Sequence, residues 1–274
     1  MLLKGIAVLS LLLSVLAASG SHLWLLPVYF LAAFLGLLVA AFVFLVVVCA
    51  FVDTDKPQEH DSRFHRCLVN LYIEALIPLV RLSVDVAGLE KIPADGRFLL
   101  VCNHQNEADP AILMHYFRPH NLAFVAKKEV ETMFLMGKLM HKLLCQPVNR
   151  ENDREALKTI LRCIQLLKDD AVSVGIFPEG GIFEKDKLHH FRSGVFKIAQ
   201  KANVPIVVCT LKGTSDLFHN MKRLKPTRVR LHLLDVIPPE ALKGRTTVDI
   251  ADQVYGMMLS DLGSEYAPDN LQTP

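Results

Sequence analysis

Phe98-Leu99-Leu100-Val101-Cys102-Asn103-His104-Gln105-Asn106-Glu107-Ala108-Asp109 is the stretch on which the reading of this chain turns. Five strand-forming residues stop at a polar cluster in which a histidine precedes an aspartate by five positions. A short apolar run closed by turn-forming residues reads as a buried strand that delivers the next side chains to a sheet edge. Imidazole takes and returns a proton near neutral pH, and a carboxylate on its second nitrogen sets the tautomer and stabilises the imidazolium. The chain has no G-x-S-x-G elbow and no Cys in a local protease signature. A His–Asp pair without its own nucleophile suggests a base for a hydroxyl carried by the substrate. His104, Glu107 and Asp109 are also metal-capable, but H-E-x-x-H and C-x-x-C are absent from the sequence, so no metal is expected. An ordinary loop pair without chemistry remains the competing reading at this level.

Working outward, short apolar runs alternate with helical patterns. Strands are expected at Phe98–Cys102, Leu122–Ala126, Val172–Phe177, Val204–Thr210 and Val229–Val236. Between them lie Pro110–Phe117, a mixed apolar segment Val130–Leu144, Asn152–Lys168 and Ser193–Ala202. Asn152 with Glu155 resembles a capping box, and Ala156, Ile160, Ile164 and Leu167 form one helical face. This order predicts an α/β domain with a mostly parallel sheet flanked by helices, carried on an N-terminal helical membrane anchor. In such sheets ligands gather beyond the carboxyl ends of the strands. His104 follows one strand there, and Pro178-Glu179-Gly180-Gly181 follows another.

The anchor is read from composition. Residues 1–52 hold one charged side chain, Lys4. Two apolar stretches, 5–18 and 23–52, flank Ser19-Gly20-Ser21-His22. The second exceeds the roughly 20 residues that cross a bilayer, with Trp24 and Tyr29 suited to its interface. The first is short for a span, and Ala17-Ala18-Ser19 offers a signal-peptide alternative. A membrane hairpin is preferred, because the connector lacks Lys and Arg. Lys4 then shares the cytoplasmic side with Lys56, Arg63 and Arg66. The expected organisation is a hairpin over 1–56, a catalytic domain over 57–266 and a loose tail over 267–274. Within the domain, an amphipathic helix is expected at about 62–82, kinked or ended at Pro78.

The six cysteines have no paired spacing and read as reduced core residues. From Gly181 to Arg230 there are eleven Lys/Arg against three Asp/Glu, although the net charge is only +2. On a membrane-anchored domain such a block suits an anionic bilayer or a phosphorylated substrate. Nucleic acid is not expected as a partner, since aromatics are not interleaved with the basic residues.

Phe177-Pro178-Glu179-Gly180-Gly181 combines a carboxylate with two glycines that permit a tight turn and close approach of an anion. Together these blocks resemble the glycerophospholipid acyltransferase family, and within it the 1-acylglycerol-3-phosphate acyltransferases. Its N-H-x-x-x-x-D block is matched by Asn103, His104 and Asp109. A Lys/Glu stretch with a downstream Arg is matched by Lys127-Lys128-Glu129 and Arg150. F-P-E-G is matched by Phe177, Pro178, Glu179 and Gly180, and V-P-I by Val204-Pro205-Ile206. The blocks cover about 110 residues in order, with similarity expected from about 80 to 240. The chain departs from the pattern at Asn106, where the family commonly has Ser, and at Gly181-Ile182, where it has Thr-Arg. A basic group there must come from Lys185, Lys187 or Arg192.

The resemblance implies transfer of a fatty acyl group from an acyl thioester to the sn-2 hydroxyl of lysophosphatidate, in phospholipid biosynthesis. His104 acts as base and Asp109 as its orienting carboxylate. Asn103, Lys127, Lys128, Arg150 and Phe177 through Gly181 form the substrate site, with an oxyanion donor near Gly180 or from water. No cofactor is implied beyond acyl-CoA or acyl-carrier protein as co-substrate. The rival readings are acylation of glycerol 3-phosphate or another lysophospholipid, a lipid hydrolase, and a non-catalytic lipid-binding protein.

Overall fold

The computed structural model describes residues 1–18, 23–149 and 151–268. The connector Ser19–His22, Arg150 and the end of the tail, 269–274, therefore lie outside the described residues. Helices α1 (Leu2–Ala17) and α2 (Leu26–Ala50), the latter preceded by a 3₁₀ turn at Leu23–Leu25, form the N-terminal pair. The 28 residues Leu23–Ala50 are long and apolar enough to cross a membrane. The two helices pack together. Ile6, Ser10, Ser14 and Ala18 form the buried stripe of α1. The serine hydroxyls donate to their own helix, to the carbonyls of Ile6 and Leu11, so small polar residues sit there without orphaned groups.

α3 (Arg63–Leu79) follows, and Leu45 and Cys49 of α2 pack with Leu68 of α3 and Leu139. Pro78 lies in its last turn, and the chain reverses through Arg81 at φ 53°. Leu82, expected at the end of this helix, instead opens strand β1 (Leu82–Ala87). Arg66 is not a free juxtamembrane charge. It is buried, pairs with Asp61 at 2.7 Å, and donates to the carbonyls of Leu122 and Leu143.

The remaining elements are β2 (Leu99–Cys102), α4 (Asp109–Tyr116), β3 (Leu122–Lys127), α5 (Lys128–Glu131), α6 (Phe134–Lys142), β4 (Gln146–Val148), α7 (Asp153–Lys168), β5 (Ser173–Ile176), α8 (Lys197–Ala202), β6 (Ile206–Lys212), α9 (Leu217–Lys222), β7 (Thr227–Ile237) and α10 (Thr247–Leu262). Seven strands form one sheet in the order β1-β7-β6-β2-β5-β3-β4. Every pairing is parallel except β6 with β7. The expected mostly parallel α/β sheet is the one observed. β1 and β4 are additions at its two edges. β4 is only three residues long and carries Pro147, which a sheet tolerates at an edge.

β2 shows why the central strands are uninterrupted apolar runs. Phe98, Leu100 and Cys102 join the core on one face, with Ile112 and Leu113 of α4. Leu99 and Val101 join the core on the other, with Ile164 of α7, Ile198 of α8 and Val254 of α10. Burial on both faces removes the polar alternation of a half-exposed strand.

Two local expectations are corrected. Val130–Leu144 is two helices, α5 and α6, that turn sharply against each other. A Cβ on Gly137 would stand 2.0 Å from the Glu131 carbonyl oxygen, so only glycine permits that approach. Asn152 caps α7 by accepting from the N–H groups of Arg154 and Glu155. Glu155 does not complete the box, because its carboxylate is engaged by Lys128 and Asn149. A reciprocal box is present instead on α10, between Thr246 and Asp249.

Candidate active site

β2, β3, β5 and β6 are parallel, so the segments leaving their carboxyl ends converge on one edge. Asn103 follows β2, and its amide spans to the next strand. Its Nδ2 donates to the Leu211 carbonyl and its Oδ1 accepts from the Leu211 N–H, each at 2.8 Å. Asn103 thereby ties β2 to β6 and fixes the point at which the chain turns toward His104.

His104 Nδ1 lies 2.9 Å from Asp109 Oδ2. Asp109 is fully buried in the first turn of α4, and the same oxygen accepts from the N–H groups of Gln105 at 2.7 Å and Asn106 at 2.8 Å. The four residues between histidine and aspartate thus wrap around the carboxylate, and the helix N-terminus adds its favourable dipole. Asp109 Oδ1 is buried without a partner. The histidine ring stacks on Phe177, centroid to centroid 4.0 Å and 11° from parallel, and Phe177 stacks on Phe124 at 5.5 Å. Ring orientation is therefore set by an aromatic platform as well as by the carboxylate. Among the described residues no hydrogen bond occupies His104 Nε2.

Glu179 is buried beside the pair. One oxygen accepts from the His104 N–H at 2.8 Å and the other from the His189 N–H at 2.9 Å. Burial pushes its pKa up to about 7, although these two bonds favour the anion. The segment Phe177–Gly180 is a tight turn in which Gly180, at φ 79°, donates its N–H to the Phe177 carbonyl. That N–H is used by the turn itself. A Cβ on Gly180 would come within 2.6 Å of Arg192 Nε, so the turn leaves room for an arginine rather than a side chain of its own. Gly181 follows and is half-buried.

Lys127 and Lys128 stand at the carboxyl end of β3, each more than half exposed. They pair with Glu129 at 3.0 Å and Glu155 at 3.1 Å. Val148 ends β4 at the same edge, paired with Lys127. Gln105 was not singled out from sequence, yet it binds across the edge. Its amide oxygen accepts from the Gly213 N–H and the Thr214 hydroxyl, while its nitrogen donates to Asp186 and the Tyr266 hydroxyl. Nothing local in the sequence announces this role, because all its partners are distant in the chain.

Beside Phe177 lies an apolar cavity of about 460 Å³, lined by Val125, Ile160, Ile176, Phe177 and Ile198 with Arg192. Cys102, next to the pair in sequence, is fully buried, and burial pushes its thiol well above the usual range. Among the described residues no group of three or more His, Cys, Asp or Glu is arranged to hold a metal ion.

The carboxyl edge of the sheet thus presents a stacked, carboxylate-backed histidine, an arrangement able to take and return a proton. Residues 83–212 match the family model described as Acyltransferase. It is 28% identical over 179 residues to the chloroplastic 1-acyl-sn-glycerol-3-phosphate acyltransferase BAT2 of Brassica napus, covering 63% of this chain and 51% of that protein. A 1-acyl-sn-glycerol-3-phosphate acyltransferase of Chlamydomonas reinhardtii is 33% identical over 167 residues, covering 57% and 47%. The protein of that name from Bacillus subtilis (strain 168) is 32% identical over 137 residues, covering 50% and 66%. The chain thus spans about half the length of the Brassica napus and Chlamydomonas reinhardtii relatives. The crystal structure of the 1-acyl-sn-glycerophosphate (LPA) acyltransferase PlsC from Thermotoga maritima shares the fold, with TM-score 0.62 at 19% identity over 95% of this chain and 96% of that one.

Proposed function

We propose that this protein transfers a fatty acyl group from an acyl thioester to the sn-2 hydroxyl of lysophosphatidate, at the cytoplasmic face of a membrane. The observation that carries the reading is the His104–Asp109 pair, held at the sheet edge with Nε2 unoccupied and no competent thiol beside it. His104 Nε2 takes the hydroxyl proton as the oxygen attacks the thioester carbonyl. Asp109 stabilises the imidazolium that forms. When the carbon–sulfur bond breaks, the leaving thiolate takes that proton back, so no acyl-enzyme forms. A positioned base of this kind contributes about 10²–10⁴-fold in rate.

Glu179 holds the His104 backbone in place, and Phe177 holds the ring. The apolar cavity beside Phe177 suits an acyl chain, whose burial stabilises by about 0.8 kcal/mol per methylene. Lys127 and Lys128, at the carboxyl end of β3, face the acceptor phosphate, and Arg150 follows β4 in the sequence. Arg150 is the natural bidentate partner. Either lysine exchanges an exposed ion pair for the phosphate at small cost, since such pairs contribute little.

The test is free-thiol release from acyl-CoA by protein in lipid, with lysophosphatidate or glycerol 3-phosphate, for wild type and His104→Ala. Release that needs both lysophosphatidate and His104 supports the proposal. Release only with glycerol 3-phosphate moves the reaction to the other acceptor, and release without any acceptor makes the protein a thioester hydrolase.

A further inference from the structure

The site leaves most of the basic block unexplained. Four of its charges, Lys222, Arg223, Lys225 and Arg228, fall within the twelve residues Leu217 to Arg228, which span α9, the turn after it and the start of β7 and contain no acidic residue. All four are exposed, and none has an ion-pair partner among the described residues. Interleaved with them, Phe218, Met221 and Leu224 are exposed large apolar side chains, Leu224 at 76%. Leu224 is held at φ 53°, a backbone conformation costly for a branched side chain. Single exposed apolar residues are ordinary. Three on one short segment, alternating with unpaired cations, are the composition of a surface that rests on anionic lipid.

The geometry of the anchor places this segment at the bilayer. The Met1 amine pairs with Glu74 of α3, and the Tyr72 hydroxyl donates to the Ala41 carbonyl of α2. The C-terminal part of α2 packs lower, against Leu68. α2 therefore runs antiparallel to α3, and the far ends of α1 and α2 project past the C-terminal end of α3. That end carries exposed Leu76 and Leu79. It is joined to the turn after α9, because the Arg81 guanidinium donates to the Leu224 carbonyl and the Thr227 N–H donates to the Arg81 carbonyl. α9 itself leaves β6 at the same edge as His104.

We propose that α9 and the turn at 223–226 form a second membrane contact, separate from the helical hairpin. In it Phe218, Met221 and Leu224 enter the interface, and Lys222, Arg223, Lys225 and Arg228 bind anionic lipid headgroups. The contact fixes the tilt of the domain so that the catalytic edge faces the bilayer. It stands whether or not the acyl acceptor is lysophosphatidate. Bilayer is favoured over an acidic soluble protein because the patch continues into the exposed end of α3, beside the hairpin.

The chain has one tryptophan, Trp24, so full-length Trp24→Phe/Leu224→Trp protein carries a single reporter. It is reconstituted in nanodiscs of phosphatidylcholine with or without phosphatidylglycerol, using acyl-brominated lipid as quencher. The expected result is blue-shifted, bromine-quenched emission when phosphatidylglycerol is present. Adding Lys222→Gln, Arg223→Gln and Lys225→Gln lowers the docking equilibrium on the order of 10²-fold, at about fivefold per charge. Because all these side chains are exposed, unchanged thermal unfolding shows that the variants fold. Red, unquenched emission in both lipid compositions from a folded protein overturns the proposal. So does emission that shifts on adding acidic acyl-carrier protein but not with anionic lipid.

Discussion

Among the described residues, two histidine–aspartate pairs have nearly the same geometry. His104 Nδ1 meets Asp109 at 2.9 Å, and His232 Nδ1 meets Asp261 at 2.7 Å. Their surroundings differ. Asp109 accepts from two backbone N–H groups and His104, with no Lys or Arg bonded to it. Asp261 also accepts from the Thr210 hydroxyl at 2.6 Å and the Arg230 guanidinium at 2.8 Å. Burial acts to raise Asp261, but the bonds from Thr210 and His232 and the Arg230 charge outweigh it and hold the carboxyl below its usual range. A carboxylate already neutralised by arginine has less to offer an imidazolium. It fastens α10 to β6 and β7, whereas the only side-chain partner of Asp109 among the described residues is His104. What separates the two pairs is how the remaining lone pairs of the carboxylate are used.

The strongest way to break this contrast is to remove the two histidines in turn. His104→Ala is expected to lower acyl transfer by about 10²–10⁴-fold, read as thiol release. His232→Ala should leave the rate within about twofold, as expected of a group that makes no contact with reacting atoms. The aspartates sharpen it further. Asp109→Asn should cost about 10²-fold or more in turnover through the wrong imidazole tautomer. Asp261→Asn should instead cost about 1.5–3 kcal/mol of stability, the usual value for hydrogen bonds to a charged group, measured by denaturant unfolding. Equal losses of turnover in the two aspartate variants would erase the distinction.

Glu179 gives a pH signature confined to the first region. Its folded pKa, about 7, lies above the ordinary 4.5. The folded state therefore holds a proton that the unfolded chain releases earlier. The resulting stabilisation is fully present below 4.5 and is lost as pH rises through about 7. Its size is on the order of 3 kcal/mol. Unfolding of wild type and Glu179→Gln, followed from acid to neutral pH, should show this slope only in the wild type. The smallest effect is expected from Lys127→Ala and Lys128→Ala singly. Each should raise the acceptor KM several-fold with kcat little changed, because their present partners are exposed carboxylates.

Much of this was legible because the central strands are buried on both faces. β2, β3, β5, β6 and β7 fall within a few residues of the apolar runs that announce them, and the polar clusters after β2 and β5 do reach one edge. β1 was hidden because Ser83 and Asp85 are exposed on an edge strand and Leu82 continues the pattern of the preceding helix. α10 was hidden despite its capping box, since Thr246 and Asp249 sit in a stretch with weak apolar contrast.

By itself the sequence determined the alternation of strands and helices, the apolar N-terminus, and the meeting of a histidine with an aspartate five positions on. These depend on local propensity and on a loop short enough to wrap one carboxylate. Only the tertiary structure decided that Phe177 is the platform for the His104 ring, that Glu179 holds the His104 backbone, and that Arg66 is a buried clamp. It alone separated the two histidine–aspartate pairs. Each of these joins residues more than fifty positions apart, or turns on which other groups share a carboxylate. Neither is encoded in the spacing of any one segment, because both arise when distant segments are packed against the same sheet.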